Sequence, residues 1–213
     1  MKIISHRGNN ISVYKGNTKE AILAALDIDY IDGVEFDVRI TKDKKIVVIH
    51  DPIINLVSNG SGIVKKIKYK KLLKYNFGTK EYPSKICLLE ELLNSIKTKK
   101  IILIEIKEET NNYQDIVDIV YQIIAKYNLN IYIASFNYNL IKYFSTKYNN
   151  CGLIIGYHLN TKKLYNHFDF NIVSYNYRNI ISKKETFIFT INEYKEKLDK
   201  FYVITDSPSL FKN

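Results

Sequence analysis

The 213-residue chain has no tryptophan, one methionine, three prolines, two cysteines and eight glycines. Cys87 and Cys151 lack metal-ligand spacing; a disulfide can be drawn between them, but a reducing compartment favours two free, buried thiols. No apolar stretch approaches the roughly 20 residues needed to cross a bilayer. No linker, low-complexity tail or internal repeat divides the sequence, which argues for a single domain over residues 1–213. The G-x-G-x-x-G loop that would follow the first strand of an open nucleotide-binding sheet is missing, which counts against that architecture. The N-terminus runs almost directly into a strand and a polar motif, leaving no room for a cleavable signal peptide, so a cytoplasmic protein is expected.

What is present describes an ordinary globular chain, 46% hydrophobic and 25% charged. A net charge of +10 favours anionic partners. Most lysines are scattered and read as a solvated face, so phosphorylated small molecules are favoured over nucleic acid. The run Lys65–Lys71 is the one basic cluster that peripheral membrane contact would use; a solvated helix face is the preferred reading.

Strand-like and helix-like segments alternate. Strands are predicted at Lys2–Ser5, Ile31–Val38, Ile101–Glu105, Ile131–Ser135, Gly152–Gly156, Asn171–Ser174, Thr186–Thr190 and Tyr202–Thr205, with an extra short strand at Ile46–His50. Helices fit between them, clearest at Thr18–Asp27, Asp115–Tyr127 and Asn137–Tyr148, with short ones after Tyr157, Tyr175 and Asn192. Asn17 with Glu20 three residues later resembles a capping box. Eight βα units imply a closed (β/α)₈ TIM barrel, compact for its kind. Residues 51–100, irregular and turn-rich, form an insertion between strands two and three that is expected to cap the rim.

Three short pieces carry the chemistry: His6-Arg7-Gly8; Glu35-Phe36-Asp37 with His50-Asp51; and Glu105-Ile106-Lys107. Each lies at or just after a strand end, and in such a barrel all strand C-termini share one rim. Two-residue spacing puts Glu35 with Asp37, and Glu105 with Lys107, on one strand face. Carboxylates placed together raise one another's pKa unless a cation compensates them. Glu35, Asp37 and Glu105 are therefore read as ligands of one divalent ion, Mg²⁺ or Ca²⁺, because the donors are hard oxygens. His6 and His50 remain for proton transfer, and Arg7 and Lys107 for a phosphate. Phe136, Tyr157, Tyr175 and Phe189 fall near strand ends and are candidates to line a pocket. His158 and His167 lie outside any motif and are read as non-catalytic.

These residues resemble the glycerophosphodiester phosphodiesterase family. The likeness runs through His6-Arg7-Gly8, Asn17-Thr18, Gly33–Val38 with Thr41 and Asp43, His50-Asp51-Pro52 with Asn59–Gly62, Leu89–Leu92, Glu105-Ile106-Lys107, Thr190-Ile191-Asn192 and Thr205–Pro208. It implies metal-dependent hydrolysis of a glycerophosphodiester to glycerol phosphate and an alcohol. Departures from the pattern are Lys15-Gly16 for Pro-Glu, Leu56 for an arginine, Cys87-Leu88 before the Leu-Glu-Glu, and Phe189 for a tryptophan. They leave every candidate ligand and histidine in place and put the preferred substrate in question. The alternatives are a phospholipase D-like enzyme acting on lysophospholipid or sphingolipid head groups, and a non-enzymatic phosphoester-binding barrel.

Overall fold

The computed structural model describes residues 1–108, 110, 112–156, 167–176 and 184–212. Along the chain run β1 (Lys2–His6), α1 (Lys19–Leu26), β2 (Gly33–Ile40), β3 (Ile46–Val48), α2 (Tyr69–Leu72), α3 (Leu89–Ser95), β4 (Ile101–Ile106), α4 (Gln114–Ile124), β5 (Asn130–Ser135), α5 (Tyr138–Phe144), β6 (Cys151–Ile155), β7 (Phe170–Ser174), β8 (Glu185–Phe189) and β9 (Tyr202–Thr205). Strand order is β1-β9-β8-β7-β6-β5-β4-β2-β3, and β1 also pairs with β2. All pairings are parallel except that of β3, which runs antiparallel along β2. Eight parallel strands thus close into the expected (β/α)₈ barrel, with β3 as the additional strand.

β2 shows why the barrel has two chemically different faces. Its sequence alternates, and all eight residues are buried. Val34, Phe36, Val38 and Ile40 join the outer apolar layer with residues of α1, α3, α4 and α5. Glu35 and Asp37 take the other face, in register with His6 of β1 and Glu105 of β4 respectively. Elsewhere that inner face is apolar, filled by Ile4, Ile101, Leu103, Ala134, Ile154, Phe170, Ile172, Phe187, Tyr202 and Ile204. The barrel interior is therefore a packed plug beneath a charged rim.

Between β3 and α3 the chain builds a satellite core from Val47, Ile49, Ile54, Val64, Ile67, Leu72, Phe77 and Ile86. α3 belongs instead to the barrel wall, with Leu89, Leu92 and Leu93 in the outer layer. The satellite is tied to the rim loops: Lys15 Nζ donates to Val57 O at 3.3 Å, and Lys65 pairs with Glu108 at 2.7 Å.

Two sequence expectations need correction. α1 is capped by Thr18, whose Oγ1 accepts from Ala21 N at 3.2 Å, one residue later than the capping box assigned to Asn17. Asn17 has φ +62 and sends its side chain into the rim. The connection from Thr190 to Phe201 contains no helix. It places Ile191 and Leu198 in the core but has no helical apolar stripe between them, and Lys197 adopts φ +62, which a right-handed helix excludes. The segments expected to be helical after Tyr157 and Tyr175 fall largely outside the described residues. No helix among the described residues is long and apolar enough to cross a membrane. Cys87 and Cys151 are both free and buried.

The interior plug yields a stability prediction. The Phe187 ring, fully buried, stacks on Tyr202 at 4.5 Å and meets Phe170 at 5.2 Å and Tyr132 at 5.6 Å. Phe187→Ala removes the ring from a site walled by strands that cannot collapse, so unfolding free energy should fall by about 3–5 kcal/mol. Urea denaturation checks this; a loss below about 1 kcal/mol would mean the interior is not close-packed.

Candidate active site

The rim assembles because β1, β2 and β4 each end with polar residues on the inward face. After His6 the backbone turns sharply: Arg7 has φ +60 and Gly8 φ +72. Gly8 is required here twice over, since a Cβ would also lie 2.5 Å from the Ala21 carbonyl group of α1. This turn swings the Arg7 guanidinium back over β2, where Nε reaches Asp37 Oδ2 at 3.0 Å.

Asp37 is fully buried and gathers the site. Besides Arg7 it faces Lys107 Nζ at 3.3 Å, and Asn17 grips it twice, donating Nδ2 to Oδ2 at 2.9 Å and accepting from the Asp37 amide at 3.2 Å. Lys107 also pairs with Glu105 at 2.7 Å. Burial pushes the Asp37 carboxyl up, but Arg7, Lys107, His50 and Asn17 outweigh it and hold it below the usual range. Glu35 and Glu105 shift the other way. Burial, then the charges of Asp37 and Glu105, raise Glu35 well above an ordinary carboxyl. Burial and Asp37 push Glu105 up to about 7 despite its contact with Lys107. With all three ionised, Arg7 and Lys107 would leave one negative charge uncompensated.

Whether these residues suit a divalent cation is testable on the atoms themselves. One oxygen from each of Glu35, Asp37 and Glu105 lies within 4.8 Å of the others. Glu35 Oε2, Asp37 Oδ1 and Glu105 Oε1 are buried and receive no directed hydrogen bond, although Lys107 stands at ion-pair distance from the last two. Buried carboxylate oxygens without donors are costly, and hard oxygen donors are what Mg²⁺ or Ca²⁺ takes. The donor set fits such an ion.

Each histidine is oriented by its own carboxylate. His6 Nδ1 meets Asp206 Oδ1 at 2.6 Å, which leaves Nε2 inward, 3.7 Å from Glu35 Oε2. Asp206 is held by Asn9 Nδ2 at 2.7 Å and Asn192 Nδ2 at 2.8 Å. Partial burial raises its carboxyl, but these donors and His6 more than offset that and hold it far below normal. His50 Nδ1 meets Asp51 Oδ1 at 2.7 Å. Desolvation lowers the His50 pKa below that of a free imidazole, with Asp37 and Asp51 acting against it. Arg39, the next inward position on β2, donates Nε to His50 O at 2.6 Å and Nη1 to Lys107 O at 3.3 Å, so one side chain positions both backbones.

His6, Arg7, Glu35, His50, Glu105 and Lys107 line a cavity of about 230 Å³ whose floor is the apolar plug. Phe136 and Phe189 share it, their rings edge-on at 6.2 Å, and Lys107 Nζ lies 5.5 Å above Phe136. Tyr175 lies apart, in a shallow depression beside Phe189, with its hydroxyl donating to Glu196 O at 3.2 Å. Tyr157 and His158 lie outside the described residues. His167 is away from the cavity, against Tyr138. Sequence reasoning took Asn17 for a helix cap and gave no role in the site to Arg39, Asn9, Asn192, Asp51 or Asp206. Asp51 adjoins His50, and Asp206 lies in the Thr205–Pro208 motif; that placement was the available signal.

A closed barrel with an acidic rim and two carboxylate-oriented histidines defines the class of protein, and comparison with known proteins gives the family. Residues 6–190 match the glycerophosphoryl diester phosphodiesterase family. A glycerophosphodiester phosphodiesterase from Caldanaerobacter subterraneus subsp. tengcongensis is 34% identical over 143 residues, covering 64% of this chain and 58% of that protein. The chain spans about three fifths of the length of this and the Bacillus relatives it matches. The glycerophosphodiester phosphodiesterase of Thermotoga maritima superimposes with a TM-score of 0.80 at 25% identity, covering 98% of this chain and 96% of that one. A phosphodiesterase from Oleispira antarctica, solved with the product sn-glycerol-3-phosphate, superimposes with a TM-score of 0.84 at 19% identity, covering 99% and 95%. The chain belongs to the glycerophosphoryl diester phosphodiesterase family.

The raised carboxyls generate a pH prediction. Because Glu35 and Glu105 keep protons to higher pH when folded than when unfolded, the metal-free fold loses stability as pH rises from their ordinary value of 4.5 towards about 7. A divalent ion bound by these carboxylates would take the place of those protons. The rise in Tm on adding Mg²⁺ or Ca²⁺ should therefore be larger at about pH 8 than at about pH 5. An increment that is flat, or larger on the acid side, contradicts the assignment.

Proposed function

We propose that the protein is a metal-dependent phosphodiesterase that hydrolyses glycerophosphodiesters to glycerol phosphate and an alcohol. The observation that carries this reading is the pairing of His6 with Asp206 and of His50 with Asp51 across a single cavity. Two imidazoles, each with Nδ1 fixed by a carboxylate, suit the two proton transfers of phosphodiester cleavage.

Glu35, Asp37 and Glu105 would hold one divalent ion, Mg²⁺ or Ca²⁺. When bound, it supplies positive charge to a non-bridging phosphate oxygen. Arg7 and Lys107 bind the remaining phosphate oxygens and neutralise charge that grows in the transition state. His6 Nε2 accepts the proton of the attacking hydroxyl, either water or the substrate's own glycerol hydroxyl, while Asp206 stabilises the imidazolium. His50 Nε2 donates a proton to the departing alkoxide. With the internal hydroxyl the first product is a cyclic phosphate, which water then opens with the proton roles reversed. Asp206, already charged and well solvated by amides, is the stronger partner for an imidazolium, which favours His6 as the base. The substrate is a soluble small molecule held in the cavity between the rim and Phe136 and Phe189.

Two measurements test this. Excess EDTA should abolish hydrolysis of glycerophosphocholine and Mg²⁺ or Ca²⁺ should restore it, whereas full activity in chelator would remove the metal from the mechanism. His6→Ala and His50→Ala should each lower kcat by about 10²-fold or more with the fold intact. A p-nitrophenyl ester, whose leaving group needs no acid, should partly rescue His50→Ala and not His6→Ala. Rescue of the other variant reverses the assignment, and near wild-type kcat in either removes that histidine from catalysis.

A further inference from the structure

A second cavity, of about 140 Å³, opens between the β1–α1 loop and the satellite core and shares Arg7 and His50 with the main one. We infer that it is a second anion-binding subsite, which receives a carboxylate or phosphate carried by the alcohol portion of the substrate. The inference rests on the proposed phosphodiesterase reading and narrows its substrate class to diesters of anionic alcohols.

Part of the charge of the cavity wall comes from a departure from the motif the chain resembles. Lys15 and Gly16 occupy the positions where the motif it resembles has proline and glutamate, so an acid is lost and a base is gained. An acid at Gly16 would have to displace the Asn9 side chain. A Cβ at that position would sit 1.9 Å from Asn9 Oδ1, and Asn9 is committed to Asp206. The space of the missing side chain is thus filled by the amide that helps orient His6.

Lys15 is held in place at both ends. Its carbonyl accepts from Thr18 Oγ1 at 2.7 Å, at the cap of α1, and its Nζ donates to Val57 O at 3.3 Å. Lys85 enters from the opposite wall, its Nζ 3.4 Å from Tyr75 O. Each ammonium has three donors and commits one to a carbonyl. Neither lysine pairs with a carboxylate among the described residues. The one acid lining the cavity, Asp51, is engaged by His50, and Glu20 of α1 is bonded to Ser84 outside the lining. Two cations without a carboxylate partner, the half-buried Lys15 and the exposed Lys85, line the cavity, and their single carbonyl bonds lower the ordering cost of holding an anion.

The position also suits the chemistry. His50 lines both cavities and is the proposed proton donor to the leaving alkoxide, so the alcohol departs towards this wall. A carboxylate or phosphate on that alcohol would reach Lys15 and Lys85 while the scissile phosphate stays with Arg7 and Lys107.

Two pairs of soluble diesters, each differing by one anion, test this. Glycerophosphoserine is compared with glycerophosphoethanolamine, and glycerophosphoinositol 4-phosphate with glycerophosphoinositol. Wild-type enzyme should favour the more anionic member of at least one pair by about 3- to 10-fold in kcat/KM. The first pair reports a carboxylate and the second a phosphate. Lys15→Gln and Lys85→Gln should bring that ratio towards one, Lys15→Arg should keep it, and added salt should shrink it. No preference in either pair, or a preference untouched by both lysine substitutions, overturns the subsite. The Kd values of the same compounds for the chelator-treated enzyme measure anion recognition without turnover. A lysine-dependent ratio there supports the subsite even if no diester is hydrolysed, which would count against the phosphodiesterase reading alone.

Discussion

Asp37 is the residue on which the rim depends. Removing a carboxylate wholly from water is expensive unless cations and donors surround it. Its partners are drawn from every neighbouring element: Arg7 after β1, Asn17 before α1 and Lys107 after β4. Satisfying that one group fixes the left-handed turn after β1 and delays the start of α1 by a residue. Asp37 is held below the usual carboxyl range by those cations, while burial and the neighbouring carboxylate charge raise Glu35 and Glu105. The metal-free rim is therefore a set of carboxyls held apart in pKa by their surroundings.

A layer behind the rim holds it still. Arg39 bridges the backbones of His50 and Lys107, Asp206 and Asp51 orient the two imidazoles, and Asn9 and Asn192 hold Asp206. Most of these are β-strand ends or residues one turn beyond, so their positions are fixed by the packed barrel interior. The satellite segment contributes the other wall of the second cavity, through Val57, Phe77, Lys85 and Ile86.

Much of this was legible in the chain. Alternation along β2 marked one apolar and one polar face, and the repeat of strands and helices implied closure. Glu35, Asp37, Glu105, His6 and His50 stood out as charged groups at strand ends, where packing alone has no use for them. What stayed hidden depends on pairings remote in sequence. His6 and Asp206 meet only because β9 closes against β1. Asn17 followed the local rule for a helix cap, and the demand of Asp37 overrode it. Arg39 fell just beyond the strand predicted at Ile31–Val38, whereas β2 runs on to Ile40 and carries it into the site. The absence of a helix after Asn192 follows from a loop with only two buried anchors, a short span in which periodicity carries little information.

The central claim is that the buried carboxylates of Glu35, Asp37 and Glu105 are balanced by one divalent cation. Anomalous diffraction from crystals grown with Mn²⁺ in place of Mg²⁺ or Ca²⁺ addresses it most directly. The account predicts a single strong peak bounded by those three side chains, lost in Asp37→Asn. A site free of metal at saturating Mn²⁺, with Lys107 still paired to Asp37 and Glu105, would contradict it.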